Sequence, residues 1–437
     1  MPRMLTRSRL TFVSTLLISS VSAVAHAGND DGVLVGNQAI LNGGAVTAVV
    51  SDGSSAWYNP AGLGLASRNQ LDVTGSAYGM NIYKVDALFV GPNGQGADAK
   101  VTDWVLIPSL LSYVREVSDD MVGGLAIFIP RTHDFDLRTS LQGENGQQFA
   151  ATINSALYEY DYALALAKRF GPSLRLGVTA AGVYVSSREF TQVAAGAPDD
   201  AAAGFYNGSS SMVVGNYGVR LTAGVQWEPT RELDLGLSIQ SPMLTGWSDV
   251  SRTVTQGSLS AAGEPHFSVE EQQGAVAVWD FTTPARLRIG MAYQLGKTQL
   301  LLDGDISSPM NTPKELPQGS FLDREWVPNG RVGAMHVFSP AMTAGAGVFT
   351  DLSGEKQFKM SFVGVAFGLE LSTAHTVDQK ARELTFSTTL GGRYAYGWGD
   401  LSGRRLSVEG GELMAEPIGA AAHVHELAFN LGGGVNF

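Results

Sequence analysis

The chain has 437 residues, no cysteine, 53 glycines and only 16% charged residues, against roughly 25% in ordinary soluble domains. Its formal charge of −12 argues against nucleic-acid binding, which needs a basic surface. The lack of cysteine excludes disulfide scaffolds, thiolate zinc, iron–sulfur clusters and cysteine catalysis.

Residues 1–27 read as a cleaved secretory signal. Arg3, Arg7 and Arg9 precede an apolar core from Leu10 to Val24, and Ala25-His26-Ala27 is a small-x-small cleavage site. The alternative is an uncleaved anchor, but the apolar core is short and diluted by serines. Removing three of the 29 basic residues leaves 26 against 41 acidic ones, a mature charge of −15. No later stretch offers the ~18 uninterrupted apolar residues of a transmembrane helix.

Residues 28–66 are rich in Gly, Ala and Ser, apolar, and without strand periodicity. Ala45 to Val50 reads as a short helix or strand, and Ser51-Asp52-Gly53-Ser54 as a turn or cap. From residue 67 onward, period-two alternation takes over. Tyr158, Tyr160, Tyr162, Leu164 and Leu166 oppose Glu159, Asp161 and three alanines. Val219, Leu221, Val225 and Trp227 oppose Arg220, Thr222 and Gln226. Leu287, Ile289, Met291, Tyr293 and Leu295 oppose Arg286, Arg288 and Gln294. Leu384, Phe386, Leu390, Tyr394 and Trp398 oppose Thr385, Ser387 and Arg393.

A soluble sandwich alternates too, but three features favour lipid. Tyr158, Tyr184, Trp227, Trp247 and Trp398 sit near strand ends, where an interfacial girdle belongs. The strands are much longer than the usual ~5–6 residues. Short turns alternate with long polar links, expected near 134–153, 189–210, 248–274, 309–325 and 399–421, as in a bacterial outer-membrane barrel. The pattern gives about fourteen strands within 67–437, an even number that leaves both termini periplasmic. The last strand is apolar at alternate positions up to Phe437, like the signal read by the barrel-assembly machinery. The fold class is therefore all-β: a transmembrane antiparallel barrel. Residues 28–66 are expected inside its lumen as a hatch or plug. A periplasmic tail is the alternative, against which its apolar content argues.

Within that segment, Ala56-Trp57-Tyr58-Asn59-Pro60-Ala61-Gly62-Leu63 resembles the A-x-Y-N-P-A-G-L signature of the long-chain fatty-acid outer-membrane transporter family (FadL-type). Segments 111–130, 217–243 and 283–307 are similar to that family as well, so the likeness spans the mature chain. The resemblance implies a monomeric fourteen-stranded barrel in the bacterial outer membrane, amid outer-membrane lipid and lipopolysaccharide, with Asn59, Pro60, Ala61 and Gly62 in its hatch. It implies passive uptake of hydrophobic small molecules, such as long-chain fatty acids or hydrocarbons, without a cofactor. Family members have a kinked third strand that opens the wall sideways. Here the candidate region is Pro108, Gly123, Gly124, Phe128 and Pro130.

The residues give independent reasons to look there. Segments 104–114 and 121–130 are apolar on both faces, unlike the polar lumen wall of a porin. Each carries a proline, which cannot donate to a ladder, and a turn near Asp119 sets Pro108 and Pro130 almost opposite each other. Simple tolerance at a strand end is the rival reading. Two other functions compete: a general diffusion porin, and a lipid-modifying enzyme built on His133-Asp134 or His423-x-His425 with nearby serines. Seven histidines and 41 carboxylates make such proximity common by chance. Two imidazoles are an incomplete metal site, so no catalytic or metal residue is assigned. Asp303 and Asp305 share a strand face, where solvation or arginine pairing is expected.

Overall fold

The computed structural model describes residues 32–66, 69–90, 96–142, 148–196, 205–259, 264–311, 323–356, 359–376, 383–409 and 412–437. Within the strands some side chains are also outside it, among them those of residues 76–78, 97–107 and 133. The expected signal sequence lies outside the described residues.

Seventeen strand segments occur among the described residues: β1 Gln70–Val90, β2 Gly96–Ser118, β3 Met121–Phe128, β4 Thr132–Gln142, β5 Gln148–Phe170, β6 Leu174–Gly196, β7 Phe205–Trp227, β8 Leu233–Gln240, β9 Leu244–Leu259, β10 Pro265–Phe281, β11 Arg286–Leu295, β12 Thr298–Ser307, β13 Val327–Ser339, β14 Met342–Asp351, β15 Lys359–Thr376, β16 Glu383–Glu409 and β17 Glu412–Asn436. Three pairs are single barrel strands broken once. β3 and β4 both pair with β5; β8 and β9 both pair with β7; β10 and β11 continue them, against β9 and β8 respectively. The wall therefore has fourteen strands. It closes where β1 runs antiparallel to β17, from Gln70 opposite Asn436 to Val85 opposite Ala422. Closure pairs the first strand with the last, so the sheet has no terminal edge left open to lipid.

The alternation assigns each face its solvent. Leu164, Val219, Leu221, Ile289 and Phe429 stay 55–63% exposed on the outside, an apolar belt far too large for a water-soluble monomer. Tyr160, Tyr184, Tyr217 and Trp247 follow one another in register across β5, β6, β7 and β9. The stacked rings of Tyr184 and Tyr217 lie 4.8 Å apart. Trp227 marks the other interface, ten positions along β7 from Tyr217, about the length of a membrane-crossing strand. Among the described residues no helix is long and apolar enough to cross a membrane; the chain crosses with strands.

Most expected long loops prove to be hairpins. β4–β5, β6–β7, β9–β10 and β16–β17 extend their ladders well into the polar stretches expected as links, as far as Glu409 opposite Glu412. Polarity there signals water on both faces, not a lack of pairing, because the ladder satisfies the backbone in either solvent. Much of the link expected at 309–325 is outside the described residues. At the opposite end, the tight turn between β2 and β3 is held by Asp120. The Ser118 hydroxyl and the Lys168 ammonium keep its carboxyl below the usual carboxylate range.

Residues 32–66 fold inside the wall. They contain helices α1 Asn37–Asn42 and α2 Ser55–Tyr58 and a 3-10 helix at Pro60–Leu65; Thr47 to Val49 form a turn, where a short helix or strand was expected. Inward glycines all round the barrel receive this chain: Gly177 meets Pro60, Gly236 meets Thr47, Gly290 meets Ala48, Gly347 meets Asn42, Gly368 meets Leu41 and Gly391 meets Ile40. A methyl group at Gly236 or Gly347 would fall within the radius of a backbone carbonyl oxygen. Gly236→Val is expected to lower stability by about 1–3 kcal/mol through overpacking, read as a lower urea midpoint for the barrel in lipid vesicles.

Candidate functional site

Asn59 explains how Asn-Pro-Ala-Gly works as a unit. Its side chain caps the 3-10 helix by accepting from Ala61 N at 3.2 Å, and Pro60 fills the first helical position, where no N–H is needed. Asn59 Nδ2 donates to Thr47 O at 2.8 Å and to Val225 O of the wall at 2.9 Å. Gly62 sits so close to the Val50 carbonyl that a side chain is excluded. One amide thus ties two turns of the segment to β7. Asn59→Ala is expected to cost about 1–3 kcal/mol, because buried partners lose their hydrogen bonds; differential thermal unfolding reads the loss.

The wall holds the segment at other points. Asp303 Oδ2 accepts from Val46 N at 2.9 Å and Thr47 N at 2.8 Å. Gln226 Nε2 donates to Val50 O at 3.2 Å, and Arg393 Nη1 to Gly32 O at 3.0 Å. Trp57 lies between two guanidiniums, with Arg220 5.6 Å and Arg288 5.4 Å from its ring centroid. Its ring also meets Phe128 at 6.0 Å.

Around Trp57 runs a buried belt of ion pairs. Arg220 Nη1 reaches Glu159 at 2.7 Å and Asp161 at 2.8 Å, and Arg131 also pairs with Glu159. Asp305 joins Arg286 at 2.8 Å and Arg331 at 2.6 Å, the arginine pairing expected for it; Asp303 instead caps the segment. Trp57, Arg131, Glu159, Arg220, Gln240, Thr283, Pro284, Arg286 and Ser307 enclose a small cavity of ≈ 30 Å³. Beyond the belt, towards the long hairpins, the lumen is lined by a buried apolar cluster that includes Leu88, Phe89, Leu137, Phe149, Ile153 and Phe362. Neither belt nor cluster was assigned from the sequence. The available signal was the placement of scarce charges on inward mid-strand positions.

The candidate wall residues converge on one seam but on both of its faces. The β2–β3 ladder ends at Leu110 opposite Phe128, and Ile129 N still donates to Ser109 O at 3.1 Å, so Pro108 and Pro130 come directly opposite in register. Above them β4 keeps its ladder with β5 and has none with β2 among the described residues. Phe128 and Pro130 are buried, while Pro108 is exposed. Gly124 faces Leu63 of the segment, and Gly123 lies beside the exposed Val117 on the outer face. Of the residues considered for chemistry, His423 and His425 lie on the lipid-side face, bonded to Tyr396 and Tyr394 at 2.8 and 2.9 Å. The His133 side chain lies outside the described residues.

A closed barrel with an apolar outer belt and aromatic girdles is an outer-membrane protein. Its fold is that of the FadL-type transporters. The solved structures similar to it include a Pseudomonas aeruginosa FadL homologue (13% identity, covering 94% of this chain and 100% of that one, TM-score 0.58). The P. putida toluene transporter TodX is similar too (17%, 94% and 99%, 0.57), as is the Ralstonia pickettii toluene transporter TbuX (13%, 92% and 98%, 0.54). No family model and no curated protein matches the sequence.

Proposed function

We propose that this barrel takes up hydrophobic small molecules passively across the outer membrane, long-chain fatty acids or hydrocarbons among them, and is not an enzyme. The observation that carries the reading is a lumen that is apolar on the outer side and filled by residues 32–66 beneath. A general porin would offer a water-filled path instead. Similar solved structures described as hydrocarbon channels and toluene transporters support the same reading.

In this account residues 28–66 are the hatch and 67–437 the barrel. A substrate leaves water for the cluster around Phe149 and Phe362, gaining the free energy of apolar burial, and moves down to the belt. Arg131, Arg220 and Arg286 border the cavity beside Glu159; a cargo carboxylate would exchange with the protein's own carboxylates for these donor-only groups. Its arrival competes with Trp57 for Arg220. Trp57 touches Phe128, two residues from Pro130, so a shift of the hatch reaches the seam above Pro108 and Pro130. Exit there delivers the molecule into lipid without crossing water. The protein acts as a monomer among outer-membrane lipid and lipopolysaccharide, with β17 as its recognition strand for barrel assembly. Pro130→Val, which adds a donor on the β5 side of the broken strand and so stiffens it, is expected to slow uptake of labelled hexadecanoate by cells several-fold while leaving barrel stability unchanged. Unaltered uptake would remove the lateral exit from the account.

A further inference from the structure

The wall has a second discontinuity, five strands away from the first and against the same cavity. The ladder of β8 with β11 runs from Leu233 opposite Tyr293 to Gln240 opposite Arg286 and stops. The ladder of β9 with β10 resumes at Leu244 opposite Phe281. Between them Ser241-Pro242-Met243 faces Thr282-Thr283-Pro284-Ala285, three residues against four. Neither proline has an N–H to donate. Across this seam run Thr282 N to Met243 O at 3.1 Å and Met243 N to the Thr283 hydroxyl at 2.8 Å.

Beside these cross-seam bonds, Ser241 and Ala285 are bonded to their outer neighbours. Ser241 N donates to Leu221 O of β7 at 2.7 Å, and the Ser241 hydroxyl accepts from Leu221 N at 2.9 Å. On the other side Ala285 N donates to the Ser308 hydroxyl at 3.0 Å, and Ser308 N to Ala285 O at 2.9 Å. These are the outward bonds of an ordinary non-hydrogen-bonded pair; the next pair in register is Pro242 opposite Pro284, where neither strand has an N–H to give, so the break is built into the sequence. Behind the seam Gln240, Thr283, Pro284 and Arg286 form one side of the cavity whose other side carries Trp57, Arg131 and Arg220. In front of it Ile239, Phe281 and Ile289 are more than half exposed to lipid. Just above, Trp279 is 73% exposed with φ of 49°, a left-handed conformation that a bulky residue adopts only under constraint. The fully buried Met243 fills the inner mouth with an unbranched, readily repacked side chain.

Height in the membrane identifies the kind of molecule. β8 and β11 rise eight and ten residues from their tight turns, and about 9–11 tilted residues cross the hydrocarbon. The seam therefore lies in the outer leaflet, two to four residues below the girdle at Tyr217 and Trp247. A single-chain amphiphile in that leaflet holds its head just above the seam, within reach of it, and its tail beside and below it. We propose that the seam is a second lateral passage, through which such an amphiphile presents a hydrogen-bond-accepting head, a carboxylate or hydroxyl oxygen, to the cavity while its tail rests against Ile239 and Ile289. The passage rests on the transport reading above but gives the lumen direct access to molecules already dissolved in the membrane.

Photolabelling of the native protein in lipid vesicles tests this without a transport assay. The probes are hexadecanoic acid and hexadecanol carrying a diazirine beside the head, with a diazirine-bearing hexadecane as the headless control. Labels from both head-bearing probes are expected on Met243, Thr283 or Pro284, and from the acid alone if the head must be charged. Labels confined to the Pro130 region and the outer apolar cluster would overturn the passage. A second arm uses the cysteine-free background. The Thr245 and Thr282 hydroxyls lie 2.6 Å apart, so a T245C/T282C pair ties the upper lip across the seam when oxidised. Uptake of vesicle-loaded hexadecanoate is expected to fall several-fold on oxidation and return with reductant. Equal uptake in both states overturns the passage and leaves the transport reading standing. If native and reduced proteins both fail to transport, the transport reading falls, and the labelling pattern still decides whether amphiphiles occupy the seam.

Discussion

Arg220→Met is expected to destabilise the protein by about 3–5 kcal/mol, the cost of stranding buried charges after removal of one partner. Arg220 is the shared cation of Glu159 and Asp161, and all three are at most 5% exposed. Methionine preserves much of the packing over Trp57, so the loss isolates charge from volume. Adding Asp161→Asn removes the carboxylate left without its arginine, while Glu159 keeps Arg131, and most of the stability is expected to return. Urea unfolding of the folded barrel in vesicles measures both variants. If the double variant is no more stable than Arg220→Met, the belt holds the wall by packing rather than by paired charge.

Deleting residues 28–66 is expected to leave a folded barrel and abolish its selectivity. Among the described residues, none of the segment takes part in the β1–β17 closure or in the other ladders. What the deletion exposes is an inward face of glycines, arginines and carboxylates, which water would fill. Single-channel conductance and sensitivity to hydrophilic antibiotics should both rise sharply, while discrimination in favour of hydrophobic solutes is lost. Persisting hydrophobic uptake with normal selectivity would rule out the hatch role. The Gly236→Val substitution is a milder version of the same perturbation, pushing on the segment at Thr47 without removing it.

Much of the wall was legible because lipid imposes a strict period of two. Val219, Leu221 and Trp227 point out and Arg220, Thr222 and Gln226 point in, as the alternation on β7 predicts. Strand ends were less legible. Ladders continue beyond the membrane, where both faces are wet and the 248–274 stretch loses its apolar rhythm. The positions of Pro108 and Pro130 followed from counting residues from a tight turn. Pro242 and Pro284 were open to the same count, but their break needs three residues facing four, which only the partner register reveals. The segment's internal path was hidden for another reason. Its placement depends on contacts between residues far apart in sequence, Asn59 with Val225 and Val46 with Asp303, which no local pattern encodes.

The opening oddity of many glycines and few charges has a structural cause in these contacts. Glycine lets the segment's backbone approach the wall at Gly177, Gly236 and Gly347. Inside the wall, Arg131, Glu159, Asp161, Arg220, Arg286, Asp305 and Arg331 each have an opposite partner. Arg131, Glu159, Arg220 and Arg286 border the small cavity against which both breaks in the wall lie.

The most direct measurement compares uptake of labelled hexadecanoate and of a labelled hydrophilic sugar by otherwise transport-deficient cells, with and without this protein. The account predicts that the protein accelerates hexadecanoate uptake and leaves the sugar unchanged. Faster sugar uptake with no gain for hexadecanoate would contradict it and make the barrel a diffusion porin.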